Sequence, residues 1–278
     1  MATSSDLAEA ISALQRRYGS AAVRRGGDPT PAGVWPTGLP VLDRLLPGGL
    51  PLGRITVVAG RPAAEAPAAT GRLTLLQALL AGASRSMQVA YVDLPGSLDL
   101  GYFADLGADL HSCLVLRPPR AALGPGLAMA RTLVRAGVPW VGVALGARLP
   151  GPGAWEHPLT ALGEAAWSRG AVVCFSAPSP LPAPLAYASS LTLGCTPLAW
   201  QEAHGDMVGL RVRLDVLKSK VGAPGASGAA LLRYPRPHAV GDVVGLPTLL
   251  PGHGEIEPAA QPQPGRGGAP ADLPALAG

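Results

Sequence analysis

Apolar positions along the chain fall into two rhythms. In "DLAEAISALQRRY", residues 6–18, Leu7, Ile11, Leu14 and Tyr18 recur at three-to-four spacing, which predicts an amphipathic helix with Ser4, Ser5 or Asp6 available to cap its start. A Gly/Pro-rich connector, "GGDPTPAGVWPTG", leads to a short helix in "LPVLDRLLPGGLPLG" closed by Pro47-Gly48-Gly49. Apolar strand-like runs then alternate with helical ones: "RITVVAG", "LTLLQALLAGASR", "QVAYVDL", "LDLGYFADLG", "SCLVLRP", "GLAMARTLVRAG", "PWVGVAL", "HPLTALGEAAWSRG" and "AVVCFSA". Strands bracketed by helices predict an α/β fold, a mostly parallel sheet covered on both faces. From about residue 187 consecutive strands follow, "YASSLTLGCTPLAWQ", "DMVGLRVRLDVLKSKV" and "AALLRYP". In the second of these, Leu210, Val212, Leu214 and Val216 share one face, and Arg211, Arg213 and Asp215 the other. An antiparallel extension of the sheet is expected there. Pro and Gly dominate beyond about residue 239, where a disordered tail is expected.

Composition narrows the class. A chain of 278 residues, 48% hydrophobic and 14% charged, can bury a sizeable core. Runs such as "GVPWVGVALGA" fall short of the roughly 20 residues of a membrane span, so no membrane partner and a cytoplasmic location are expected. Cys113, Cys174 and Cys195 lie far apart in apolar stretches and read as buried, reduced thiols. His111, His157, His204, His238 and His253 have no metal-ligand spacing, and no metal is expected. Trp140, Trp155, Trp167 and Trp200 read as core or interface fillers. The net charge of +4 permits a weak attraction to nucleic acid; Arg211, Arg213, Arg233 and Arg236 could touch phosphates or form a solvated sheet face. Of 22 basic residues only Lys218 and Lys220 are lysines.

The stretch "GRPAAEAPAATGRLTLL", residues 60–76, follows a strand and opens a helix, where a phosphate-binding loop belongs. Such a loop needs G-x-x-x-x-G-K-[ST], because backbone N–H groups cradle the phosphates, the Lys reaches the outer ones and the hydroxyl binds Mg²⁺. Here Gly71 is followed by Arg72 and Leu73, with Thr74 one position late. The interval from Gly60 to Gly71 exceeds the motif by six residues and contains two prolines.

Four segments in order resemble the bacterial recombinase RecA: "AISALQRRYGSAAVRRG", "WPTGLPVLDRLLPGGLPLGRITVVAG", "VAYVDLPGSLDLGYFADLGADLHSCLV" and "RVRLDVLKSKVGAP". The resemblance implies a RecA-like core over residues 34–238, preceded by an N-terminal helix and connector over 1–33 and followed by the Pro/Gly-rich tail over 239–278. It also implies that the family's catalytic glutamate position is occupied by Pro95, its metal-linked aspartate by Ala144, and its phosphate-sensing glutamine by Ala177 or Pro178. With the phosphate-loop lysine gone as well, a degenerate ATPase without catalytic residues or cofactor is expected, and ATP binding is in doubt. The segments matching the family's DNA-lining loops, "PGPGAWEHP" and "SPLPAP", are nearly free of basic residues, so DNA binding is expected to be weak or indirect.

In the family's filaments the N-terminal element packs on a neighbouring subunit, and two lysines reach the neighbour's nucleotide. The positions that carry this over are Leu7, Ile11 and Leu14, with Lys218 and Lys220, whose other reading is a solvated strand end. The shared losses resemble the ImuA group, RecA-related proteins that act in damage-induced mutagenesis. The resemblance therefore implies a non-enzymatic accessory protein of DNA repair, docking on RecA or its filament, with an error-prone polymerase complex as a further candidate partner. The alternatives are a nucleotide-binding switch without hydrolysis, a cell-division inhibitor of the SulA type, and direct DNA binding through the arginines. Apolar islands in the tail, "GLPTLLPG" and "ADLPALAG", could bind a partner or be plain chain end.

Overall fold

The computed structural model describes residues 4–18, 33–46, 48–64, 66, 69–119, 122–203, 206–222, 224–234 and 250–251. The N-terminal helix α1 spans Ser4–Tyr18, with Ile11 half-buried and Leu14 42% exposed. A two-stranded sheet pairs β1 (Val34–Trp35) with β2 (Leu50–Pro51), and α2 (Pro40–Leu45) lies between them in the chain. Thr37 and Asp43 close the entry to α2, the Asp43 carboxylate accepting from the Thr37 hydroxyl at 2.7 Å and its backbone N–H at 2.8 Å.

The main sheet has nine strands in the order β11-β10-β9-β8-β3-β7-β6-β4-β5. β3 (Ile55–Gly60), β4 (Val89–Asp93), β5 (Cys113–Leu116), β6 (Trp140–Ala144), β7 (Val172–Pro178) and β8 (Leu191–Ala203) run parallel. β9 (Asp206–Ser219), β10 (Ser227–Arg233) and β11 (Leu250–Pro251) continue the sheet antiparallel. Every residue of β3, β4 and β6 is buried, which is why these strands read as unbroken apolar runs. The expected α/β architecture with an antiparallel extension is therefore the one observed.

Two helical layers enclose it. On one face α2, α3 (Arg72–Ser84) and α4 (Leu100–Asp105) bury Leu42, Leu75, Leu76, Leu79, Leu80 and Phe103 against the sheet. On the other, α5 (Leu123–Arg135), α6 (Glu156–Arg169) and α7 (Ala183–Ala188) bury Leu127, Val134, Leu159, Leu162 and Leu185. Gly142 in β6 lets α3 lie close, because a Cβ there would run into the Leu80 side chain. Trp140 packs edge-on to Trp35, ring centroids 5.8 Å apart, tying the small sheet to the large one.

Several expectations change. Tyr187 and Ala188 belong to α7 and not to a strand; Pro184 suits a helix's first turn, so the prolines that suggested a loop instead start a helix. Cys174 and Cys195 are buried, but Cys113 is half-exposed because β5 is the edge of the sheet. Trp140 and Trp155 are core residues, whereas Trp167 and Trp200 are exposed. The connector over 19–32, Pro47, and the tail apart from Leu250–Pro251 lie outside the described residues; that pair adds a strand within the stretch assigned to the tail. Among the described residues no helix is long and apolar enough to cross a membrane.

Burial pushes the Cys195 thiol up to about 12, and that of Cys174 higher still. Since the thiolate is the reactive form, a thiol reagent at mildly alkaline pH will modify Cys113 in the native protein and reach Cys174 and Cys195 only on unfolding. Mass spectrometry of labelled peptides checks this; early labelling of Cys195 would contradict the packing described.

Candidate functional site

The carboxyl edge of the parallel strands is where ligands bind in open α/β sheets. β3 delivers Gly60 to this edge, and α3 begins at Arg72 after Gly71, whose φ of 74° is left-handed. The loop between them is fastened at several points. The Arg61 N–H donates to the Cys195 carbonyl at 2.9 Å, the Ser179 N–H donates to the Gly60 carbonyl at 2.9 Å, and the Cys195 thiol donates to the Thr70 carbonyl at 2.9 Å. Gly71 sits over β9 and β10, where an added Cβ would meet the side chains of Leu232, Leu210 and Val212. A phosphate cradle requires loop N–H groups converging on one point. Here Pro62 has none, and that of Arg61 is spent on β8.

Arg72 stands at the lysine position of a phosphate loop but turns onto the sheet. Its Nη1 donates to the Ser176 carbonyl at 3.0 Å and to the Ser176 hydroxyl at 2.9 Å. Its stem crosses the end of β3, since a Cβ on Gly60 would strike the Arg72 Cδ. Burial of the guanidinium lowers its pKa, with Tyr91 acting in the opposite direction. Leu73 packs on the core, and Thr74 lies beside the Tyr102 hydroxyl. The residues at this turn do not fit a bound triphosphate: the cation is engaged, and no Ser or Thr stands at the metal-binding position.

Ala144 on β6, Ala177 on β7 and Pro95 in the loop after β4 lie along the same edge, although none has a base or a metal donor. Ala144 ends β6 beside Asp93 and Ser176, Ala177 is buried next to Ala59, and Pro95 is exposed in the loop to α4. That loop has an anchor overlooked in the sequence. The buried Asp93 carboxylate accepts from Ser97 N–H at 3.1 Å and Leu98 N–H at 2.9 Å, and pairs with Arg117 Nε at 3.3 Å. Arg117 also donates to the Leu98 carbonyl at 2.7 Å. The signal was an acid closing the apolar run "VAYVD"; likewise Ser176, the partner of Arg72, is a lone hydroxyl inside "VVCFSA". Among the described residues no group of three or more His, Cys, Asp or Glu could hold a metal.

The lysine pair is used inside the chain. Lys218 Nζ donates to the carbonyls of Ala186 at 2.6 Å and Tyr187 at 3.3 Å, and Lys220 Nζ to that of Tyr187 at 3.3 Å. Both ammonium groups thus cap the C-terminus of α7, where free carbonyls carry partial negative charge. Desolvation, then repulsion from Lys220, lowers the Lys218 pKa. Tyr187 itself is 83% exposed. Beside it, a cavity of about 460 Å³ lies between α6 and α7, lined by Pro152, Glu156, Leu159, Pro184 and Tyr187 among others, so the segments matched to DNA-lining loops build an apolar hollow. Arg211, Arg213 and Arg233 lie exposed on β9 and β10, remote in the sheet order from β4 and β6; Arg236 lies outside the described residues. The Leu7 side chain is likewise outside them, and Leu14 on α1 is exposed.

With this geometry, the chain matches the RecA N-terminal domain family over residues 5–143. Protein RecA of Streptomyces coelicolor is 36% identical over 132 residues, 46% of this chain and 33% of that protein. Protein RecA of Clavibacter michiganensis subsp. michiganensis is 35% identical over 145 residues, 49% of this chain and 38% of that protein. These matches span about a third of the curated relatives' own length. The crystal structure of the RadB recombinase covers 70% of this chain and 94% of its own at a TM-score of 0.56 and 18% identity, a likeness of fold alone.

Three variants probe the internal contacts. Arg72→Ala will cost about 1–3 kcal/mol in denaturant unfolding by leaving buried Ser176 acceptors without a donor. Arg72→Lys will recover only part, since an ammonium lacks the guanidinium's planar fork. Replacing Lys218 and Lys220 together by Ala will speed amide exchange at the end of α7 while leaving the parallel strands protected.

Proposed function

Because this chain belongs to the RecA N-terminal domain family, we propose that it is a RecA-like accessory protein without ATPase activity, working through protein–protein contacts in DNA repair. The observation that carries this reading is the Arg72–Ser176 bond, which occupies the phosphate-loop cation in the fold itself. It stands together with Pro95, Ala144 and Ala177 in place of the family's base, metal-linked acid and sensing amide. Phosphoryl transfer depends almost wholly on positioned charge, so the joint loss removes the chemistry while the scaffold persists.

The finer reading is a protein of the ImuA type that docks on RecA or its filament during damage-induced mutagenesis. The surface offered is the end of α7, with exposed Tyr187, the apolar hollow beside it, and Lys218 and Lys220. As both lysines support α7, their role in docking is to hold Tyr187 in place as much as to meet a partner's charge.

Two measurements test these readings in turn. Thermal unfolding with and without magnesium and a slowly hydrolysed ATP analogue will give the same midpoint, because a ligand that does not bind the folded state cannot stabilise it. A saturable rise in midpoint that Arg72→Ala abolishes would establish a nucleotide switch instead. Pull-down with RecA of the same organism, with and without single-stranded DNA and that analogue, will show retention that needs the assembled filament and is lost in Tyr187→Ala. No retention in either state would remove RecA as the partner and leave the polymerase complex to be tried.

A further inference from the structure

The two helical layers do not cover the whole sheet. On β9 and β10, Leu210, Val212, Leu214, Ala230 and Leu232 are buried on the side of α2 and α3, while the alternate positions face outward. Arg211, Arg213, Leu217, Ala229 and Arg233 are exposed there. Arg61, at the root of the fastened loop, joins them: its Cδ lies over Gly194, beside Leu217, and its Nη1 is 3.5 Å from Asp215 Oδ2.

An antiparallel sheet with one wet face is ordinary, yet this face is not a random polar surface. Leu231 stands opposite Arg211 and Ala229 opposite Arg213, so an aliphatic side chain faces a cationic one at each of these pairs across the strands. Among the described residues, Asp215 is the carboxylate paired within this group of four guanidiniums. It accepts from Arg213 Nε at 3.2 Å and from the Ser227 hydroxyl at 2.7 Å, and pairs with Arg61. Two arginines are thereby held in place, while Arg211 and Arg233 have no carboxylate partner among the described residues.

Arg211 and Arg233 are diagonal neighbours across β9 and β10, about 7–8 Å apart, close to the repeat of same-side residues in any extended chain. Guanidinium groups bind carboxylates through paired hydrogen bonds, and arginine is enriched at protein interfaces. Single-stranded nucleic acid is the poorer fit, because among the described residues its bases would find no aromatic platform on this face. The nearest aromatic pair, Trp200 with Tyr234 at 6.3 Å, belongs to the other face, since Trp200 is in register with buried Leu210.

We propose that this open face of β9 and β10 is a docking site for an acidic partner segment in extended conformation, its carboxylates set over Arg211 and Arg233 and its alternate aliphatic side chains on Leu217, Ala229 and Leu231. The charge complement commits the site to an acidic protein segment, and it does not depend on the α7 surface or on RecA being the partner. A second copy of this chain would bring arginine against arginine.

The test is fluorescence anisotropy of the full chain with a labelled peptide that alternates glutamate and leucine, beside a lysine–leucine peptide and an oligothymidylate strand. The acidic peptide will bind saturably and weaken as salt is added. Arg211→Glu with Arg233→Glu will weaken it by about tenfold or more, because close charge pairs couple strongly, whereas the matching Lys variants will keep part of the affinity. Thermal unfolding of each variant confirms that it is folded, and exposed single changes such as Arg211→Ala serve where a double variant is not. Failure of the acidic peptide to bind, equal binding by the charge-reversed protein, or preference for oligothymidylate would each overturn the assignment. So would salt-sensitive self-association that the same reversal abolishes.

Discussion

The Arg72 guanidinium, bonded to the Ser176 carbonyl and hydroxyl, is the contact on which the arrangement of the sheet edge depends. A strand-to-helix turn of this kind leaves helical N–H groups without partners, and Arg72 ties the start of α3 to β7 beside the direct pairing of β3 with β7. The tie has a cost in desolvation, which the lowered pKa of Arg72 reflects and two hydrogen bonds offset. Once the cation is committed, the bonds from β8 to Arg61 and Thr70 can close the loop down over the core.

Asp93 does for the neighbouring loop what Arg72 does for this one. A carboxylate buried at the end of β4 is tolerable only because two backbone N–H groups and Arg117 satisfy it. The loop bearing Pro95 is thus fixed in shape without having any group to present. Among the described residues, both loops are held by internal polar contacts at the edge of the sheet.

Much of the fold was legible because burial on both faces forces unbroken apolar strands, as in "ITVVAG" and "WVGVA", and one-sided burial forces the alternation of "LRVRLDV". α7 was not legible, because six residues carry too little periodicity and its prolines mark a helix start as readily as a loop. The residue types at Arg72, Pro95, Ala144 and Ala177 could be read in the sequence, but the contacts made around them could not. Arg72 finds Ser176 at a separation of 104 residues, and Lys218 finds Ala186 at 32. Contacts of that range are set by strand order, which periodicity does not encode. The partial exposure of Cys113 was missed for a similar reason, since an edge strand is a property of the assembled sheet.

The proposed loss of nucleotide would also release the length of the turn from Gly60 to Gly71. A loop that must wrap a ligand is fixed in length by the ligand, whereas one that need only reconnect two packed ends pays chain-closure entropy alone. Ten residues in place of four cost roughly 0.8 kcal/mol by that measure, because the penalty grows only with the logarithm of loop length. The alanines and prolines of "RPAAEAPAAT" are what accumulates in a stretch for which insertion is nearly free.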